Sequence, residues 1–238
     1  GRKEFSIIVK DINKNKDYEK NDCSSAGGII WNKNSDGYFY LKKDSQSLIT
    51  NSLYFHKLGT RTNKDKLIFK ETDKQFSLSI SLSRTKKFLF LQISKTESNE
   101  IWYLDLNDKK IELKRFLKRR NKHTYYINDS PDEFFILSNK DNKKNFSLYT
   151  TNLNKTNQIY WKILVAHKND ELIEDFLCFK DFIILEIRKN GLSHLVKVDK
   201  KNKKKAYIKF REDAYTVNLT GNNTYEDKSF SYVYSSLK

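Results

Sequence analysis

Polar and apolar positions alternate along this chain with a period of two, in short runs, which is the pattern of half-buried strands. The runs predict strands at 5–10, 29–31, 38–42, 52–58, 67–70, 76–82, 87–93, 101–106, 112–117 and 124–127. Further strands are predicted at 134–138, 146–151, 161–165, 172–176, 182–187, 194–198, 207–210, 216–219 and 229–234. Asn, Asp, Lys, Ser and a few glycines separate them, as in Asn34-Ser35-Asp36-Gly37, where Asp-Gly favours a tight hairpin turn. The best helical candidate, residues 109–122, carries Ile111, Leu113, Phe116 and Leu117, but a strand followed by a basic loop fits it as well. The pattern is that of an all-β chain.

The strands recur in groups. Ser6-Ile7-Ile8-Val9-Lys10-Asp11-Ile12 aligns with Ser52-Leu53-Tyr54-Phe55-His56-Lys57-Leu58 and Glu100-Ile101-Trp102-Tyr103-Leu104-Asp105-Leu106. Ser147-Leu148-Tyr149-Thr150-Thr151-Asn152-Leu153 and His194-Leu195-Val196-Lys197-Val198 continue the series, with successive starts 46, 48, 47 and 47 positions apart. Two strands precede each complete later copy and one follows. Four antiparallel strands per unit of roughly 45 residues is the signature of a β-propeller blade. Strands packed between neighbouring blades should read as continuous apolar runs, as Phe88-Leu89-Phe90-Leu91 and Phe182-Ile183-Ile184-Leu185 do. An outer strand should read polar-rich, as Glu112-Leu113-Lys114-Arg115-Phe116 does. The period divides the 238 residues into blades at 27–70, 76–118, 123–165 and 172–210, with partial blades at 5–22 and 215–234. The expected fold is an incomplete set of four-stranded propeller blades.

Composition narrows the function. The chain is 32% charged and 14% aromatic, so it has the bulky apolar groups that disordered chains lack. No apolar run approaches the roughly 20 residues a membrane-spanning helix needs, and no membrane partner is expected. The absence of Met marks the chain as a processed product or an internal piece of something longer. Two cysteines, Cys23 and Cys178, are too few for a disulfide framework and suit a reduced, cytoplasmic protein. The net charge of +16 invites a nucleic-acid reading. Against it stands the wider bias toward Lys, Asn, Ile, Tyr and Phe, in which Lys fills any solvated position. The basic runs Lys118-Arg119-Arg120-Asn121-Lys122 and Lys200-Lys201-Asn202-Lys203-Lys204-Lys205 contain no interleaved aromatics, so solvated loops explain them better than a nucleic-acid surface.

Catalytic motifs are missing. The seven glycines, at 1, 27, 28, 37, 59, 191 and 221, fit neither G-x-S-x-G nor a Walker A loop nor G-x-G-x-x-G. His56, His123, His167 and His194 are far apart, and neither cysteine has a second ligand at metal spacing, so no metal or other cofactor is expected. Asp170-Glu171-Glu174-Asp175 has the residue types of an acid/base pair, but reads more simply as a solvated loop leading into a strand. No catalytic residue is assigned, and substrate-contacting residues are not readable.

A resemblance runs through the chain from end to end. Ser25-Ala26-Gly27-Gly28-Ile29-Ile30-Trp31-Asn32 followed by Tyr38-Phe39-Tyr40 resembles the SGG…W…FYY start of a blade in oligopeptidase B, a family of the prolyl oligopeptidase clan of serine peptidases. Leu53-Tyr54-Phe55-His56-Lys57-Leu58-Gly59-Thr60 is similar to its W-R-H-x-LGT turn, and the run from Ile68 through Glu71 and Asp73 to Phe76 resembles its link between blades. Ser98-Asn99-Glu100, Arg119-Arg120-Asn121-Lys122-His123, residues 139–149, Arg188-Lys189-Asn190-Gly191-Leu192 and Phe230-Ser231-Tyr232-Val233-Tyr234-Ser235-Ser236 continue it in family order.

The resemblance implies a seven-bladed propeller that caps a separate α/β-hydrolase catalytic domain and admits short peptides to it. That domain would carry the Ser, Asp and His of the triad and the preference for Lys or Arg before the cut, and none of it lies in these residues. The chain is therefore expected to be the non-catalytic, substrate-gating propeller of such a peptidase, inactive alone. Two other readings stay open: a stand-alone basic propeller that binds an anionic partner, and the remnant of a split or decayed peptidase gene.

Overall fold

The computed structural model describes residues 4–221 and 224–237. Its Cα positions group into two compact units, Gly1–Leu82 with Lys86–Arg120, and Ser83–Thr85 with Asn121–Lys238.

The first unit holds two antiparallel meanders. One sheet runs in order through β1 (Phe5–Asp11), β2 (Lys16–Trp31), β3 (Gly37–Lys43), β4 (Thr50–Lys57) and β5 (Lys66–Lys70). The other runs through β6 (Ser77–Leu82), β7 (Phe88–Lys95), β8 (Ser98–Asp105) and β9 (Lys114–Leu117). Ile30, Phe39, Leu41 and Leu53 of the first sheet share one core with Leu78, Leu89, Leu91 and Ile93 of the second. Phe88 through Leu91 are all buried, because β7 lies between two strands of its own sheet and is covered on both faces. This is the environment that the continuous apolar run requires.

The second unit repeats the design. Its sheets are β10 (Tyr125–Asp129) to β13 (Lys162–Val165), by way of β11 (Glu133–Ser138) and β12 (Ser147–Asn152), then β14 (Leu172–Cys178), β15 (Phe182–Lys189), β16 (Leu192–Asp199) and β17 (Lys205–Tyr207). A last pair, β18 (Tyr215–Leu219) and β19 (Tyr232–Ser236), follows. Phe135, Leu137 and Leu148 pack with Ile173, Phe176, Ile183 and Leu185, and Phe179, Phe182, Ile184 and Leu195 pack with Val217. The four-stranded meander of about 45 residues is the unit that the period of the sequence predicts.

Two details bear on the sequence reading. Residues 5–22 are not set apart from 27–70: β2 is continuous from Lys16 to Trp31 and pairs with β1 through its first part and with β3 through its last. Its register shifts between Ser25 and Ile29, where Gly27 and Gly28 take φ of 100° and 71°. Such a bulge suits residues without a Cβ. Residues 109–122 form no helix and contribute β9, as the strand-and-loop alternative has it. The helical segments among the described residues are three single 3-10 turns, Thr62–Lys64, Lys140–Asn142 and Gln158–Tyr160.

Candidate functional site

The family-like motifs become internal hydrogen-bonded locks. At the end of β4, fully buried His56 places Nδ1 2.6 Å from Oδ1 of Asp65 and Nε2 2.8 Å from Oε1 of Glu19. Each ring nitrogen thus has a carboxyl oxygen as its hydrogen-bond partner, so the ring is held from both sides. The second oxygen of each acid is filled as well: Tyr40 donates its hydroxyl to Oδ2 of Asp65 at 2.6 Å, and the Gly59 amide donates to Oε2 of Glu19 at 2.6 Å. Burial and then the Asp65 carboxylate push the Tyr40 phenol far above its ordinary range, and burial lifts Tyr38 to about 12. Burial also raises the Cys23 thiol, which removes the thiolate that a nucleophile needs.

A second lock closes the other sheet of this unit. The run after β5 puts Glu71 where its own Oε1 accepts the amides of Thr72 and Asp73, and Nη1 of Arg119, just past β9, donates to Oε2 at 2.8 Å. Glu100 on β8 accepts from the Arg119 amide at 2.9 Å and from the Trp102 indole at 2.7 Å. The Arg119 guanidinium lies 4.1 Å from the centroid of Phe76. Burial opposes ionisation of Glu71, but the hydrogen bonds from Arg119 and the Asp73 amide outweigh it and lower its pKa.

In the second unit, fully buried Asp129 accepts from the Ser83 hydroxyl at 2.8 Å and the Thr85 amide at 2.9 Å, and from the Thr85 hydroxyl. Arg84 stacks 4.7 Å over Phe179 and donates to the carbonyls of Cys178 and Thr224. His123 meets the Ser138 hydroxyl at 2.9 Å, and Asn139 accepts from the Thr124 amide while donating to the carbonyl of Lys122. Asn145 holds the carbonyls of Lys168 and Asn169, and Arg188 donates to Glu174 and to the Gly191 carbonyl.

The acidic group at 170–175 divides into different roles. Glu171 is buried, not a solvated loop residue, and accepts from Lys168, Lys189 and the Tyr207 hydroxyl at 2.9, 2.9 and 2.7 Å. Its burial would raise the pKa, yet these three donors hold it down at about 2. Asp170 pairs with Lys189, and Glu174 with Arg188. Asp175 stands directly across from Glu186 on β15, and desolvation raises the pKa of both, with the Asp175 charge adding to the shift at Glu186. Sequence reasoning missed Glu186, because its partner lies on the next strand and no local spacing marks it.

The basic runs are partly committed to the fold. Arg119 belongs to the lock described above, and Lys200 lies 4.8 Å over both Phe135 and Tyr225, where burial lowers its pKa. Among the described residues no group of three or more His, Cys, Asp or Glu could hold a metal ion, and no helix is long and apolar enough to cross a membrane. The four histidines have separate partners: His167 donates its amide to Ser147, and His194 meets the Tyr215 hydroxyl at 3.1 Å. What these groups do chemically is hold loops and strand ends.

Comparison with known proteins places this architecture. The model of the prolyl oligopeptidase N-terminal beta-propeller domain matches residues 1–238. Dipeptidyl aminopeptidase BI of Pseudoxanthomonas mexicana is 27% identical over 237 residues, 100% of this chain and 32% of the relative. Protease 2 of Moraxella lacunata is 28% identical over 241 residues, 100% of this chain and 34% of the relative. Oligopeptidase B from Leishmania major superposes with a TM-score of 0.92 at 21% identity, over 100% of this chain and 34% of that one. The closed form of the Trypanosoma brucei oligopeptidase B with covalently bound antipain gives 0.85 at 23% identity, over 92% and 32%. The chain thus spans about a third of the length of the relatives it matches. Successive antiparallel meanders, a repeat near 47 residues and a match along the whole chain lead to one assignment: this chain belongs to the prolyl oligopeptidase family, as its N-terminal β-propeller domain.

Proposed function

We propose that this chain is the non-catalytic, substrate-gating propeller of an oligopeptidase B-like serine peptidase that cleaves short peptides after Lys or Arg. The carrying observation is that the family match runs over residues 1–238 while the family-like motifs serve as locks within the sheets. A catalytic α/β-hydrolase domain, with its nucleophile and basic-residue pocket, is then the partner, and short peptides are what the pair acts on. The innermost strands of a propeller line its central channel; within their own sheets β6, β10, β14 and β18 each stand first in strand order. A ring of such strands set over a catalytic centre excludes folded proteins by size and keeps the reaction space closed to water. In this reading the blades run at 27–70, 76–118, 123–165 and 172–210, with partial blades at 5–22 and 215–234, the first of them joined to the next blade through β2. The free thiols Cys23 and Cys178 support a reducing, cytoplasmic setting.

The test is to capture the native gene product from its own cells with an antibody to this segment, then measure its intact mass and its labelling by a fluorophosphonate serine-hydrolase probe. A product several hundred residues longer that labels, and that cleaves short Lys and Arg peptides but not a folded protein, is expected. A product of this length that does not label would overturn the reading.

A further inference from the structure

Charge is sorted by strand position within the sheets. The last strands, β5, β9, β13 and β17, carry Lys66, Lys70, Lys114, Arg115, Lys162 and Lys205 and no acid. The first strands, β6, β10, β14 and β18, carry no Lys or Arg, in a chain where 46 of 238 residues are basic. Burial does not account for this. Ser77, Ser79, Tyr126, Thr216 and Asn218 on those strands are exposed, so solvated positions exist there and none is filled by a cation. The charges that the first strands do carry are Asp129, which is buried and held by Ser83 and Thr85, and Glu174 and Asp175 of β14.

The negative charge concentrates on β14. Its register against β15 shifts between Ile173 and Asp175, and the irregularity leaves Glu174 and Asp175 both exposed. Glu174 is neutralised by Arg188 at 2.7 Å. Asp175 lies directly opposite Glu186 of β15, where side-chain Cβ atoms stand about 5 Å apart. Oδ1 of Asp175 accepts the Phe176 amide at 2.7 Å, and Oε1 of Glu186 accepts the Leu219 amide of β18. Neither acid forms an ion pair among the described residues, and each has one carboxylate oxygen with no donor among them. Like charges opposed across a ladder destabilise a sheet. Burial, and after it the charges of Asp175 and Glu174, raise the Glu186 pKa. A cation arriving from the exposed side relieves both costs. Among the described residues no group of three His, Cys, Asp or Glu could hold a metal ion, so the pair fits an organic cation better than a metal.

We propose that the Asp175–Glu186 pair receives the Lys or Arg side chain of a peptide, on a strand surface kept clear of competing cations. The inference rests on the peptide-gating reading and adds to it a charge preference that belongs to the propeller itself.

Ligand-observed NMR of the 238-residue chain with acetyl-Ala-Arg-Ala-amide and acetyl-Ala-Gln-Ala-amide at low salt tests it. The arginine peptide should bind about fivefold more tightly than the glutamine peptide, and the difference should shrink at about 0.5 M salt. The doubly substituted Asp175→Asn, Glu186→Gln chain should bind the two peptides equally. Removal of a like-charge pair relieves the sheet, so this variant keeps its fold. The Asp108→Asn, Asp213→Asn chain loses the same net charge from exposed positions elsewhere and should keep the preference. Equal binding of the two peptides by the unaltered chain, a preference that survives the first double substitution, or one lost in the second would each overturn the inference. None of these results bears on the gating reading, which the mass and probe labelling of the native product decide.

Discussion

Arg119 reaches back 48 positions to Glu71, donating to it at 2.8 Å from just beyond the outer strand of one meander to the run that leads into it. The link fastens the last strand of the sheet to its first. Glu71 is 6% exposed on its side chain and Arg119 30%, so removal of the cation leaves a nearly buried carboxylate with two amide donors and no counter-charge.

Arg119→Ala should therefore destabilise the chain by about 2 kcal/mol, below the cost of breaking a fully buried pair because the arginine is partly solvated. Arg119→Lys should recover only part, since the ring contact with Phe76 and the second donor to Glu71 depend on the planar guanidinium. Urea unfolding of the three proteins at pH 7 checks the order.

Glu171 gives a signature on the acid side. Its pKa is about 2 in the folded chain against an ordinary 4.5, so its contribution is complete above pH 4.5 and is lost as pH falls toward 2. After allowance for its partly exposed lysine partners, the contribution is about 2 kcal/mol. Glu171→Gln should lower stability at pH 7 and flatten the acid limb of the stability profile. Equal acid limbs in the two proteins would contradict the assignment.

These locks explain which parts of the molecule are legible in sequence. The meanders show because apolar alternation and the 47-residue spacing are local signals, and Phe88-Leu89-Phe90-Leu91 announces a doubly covered strand. The first half of β2 does not show. Its inward positions are Asn21, Cys23 and Ser25, small or polar residues that hide the alternation. The locks are less visible still: Glu71–Arg119 and Ser83–Asp129 join residues 48 and 46 positions apart, about one repeat, so each partner looks like an ordinary polar surface residue in its own segment. Glu171 illustrates the cost of local reading. Among Asp170, Glu174 and Asp175 it looks solvated, and only the fold brings Lys189 and Tyr207 onto it.

Asp175 and Glu186 predict a gain from mutation. They are opposed across β14 and β15, and desolvation raises both pKa values. A raised carboxylate pKa means a penalty above that pKa that disappears as pH falls below the ordinary value. Like charges directly opposite one another cost about 0.2–1 kcal/mol. Asp175→Asn should raise stability by about 0.5 kcal/mol at pH 7 and by nothing at pH 3. Thermal unfolding at both pH values checks it, and a destabilised variant at pH 7 would show that the carboxylate is needed.

Two glycines are required for different reasons, and the difference is measurable. A Cβ on Gly28 would meet nothing within 4 Å, but its φ of 71° is one that side-chain-bearing residues resist. A Cβ on Gly37 would lie 2.4 Å from the Phe55 ring and 2.5 Å from the carbonyl oxygen of His56. Gly28→Ala should cost about 1 kcal/mol through backbone strain, and Gly28→Asn less, because Asn tolerates positive φ. Gly37→Ala should cost about 2–3 kcal/mol, since a backbone oxygen cannot move aside as a side chain can, and Gly37→Asn should be worse. Because Lys57 beside His56 pairs with Gly37 across β3 and β4, the damage should reach that edge of the sheet and be visible as faster amide exchange in β4. Opposite ranking of Ala and Asn at the two positions in urea unfolding is the expected result; the same ranking at both would show that one mechanism governs them.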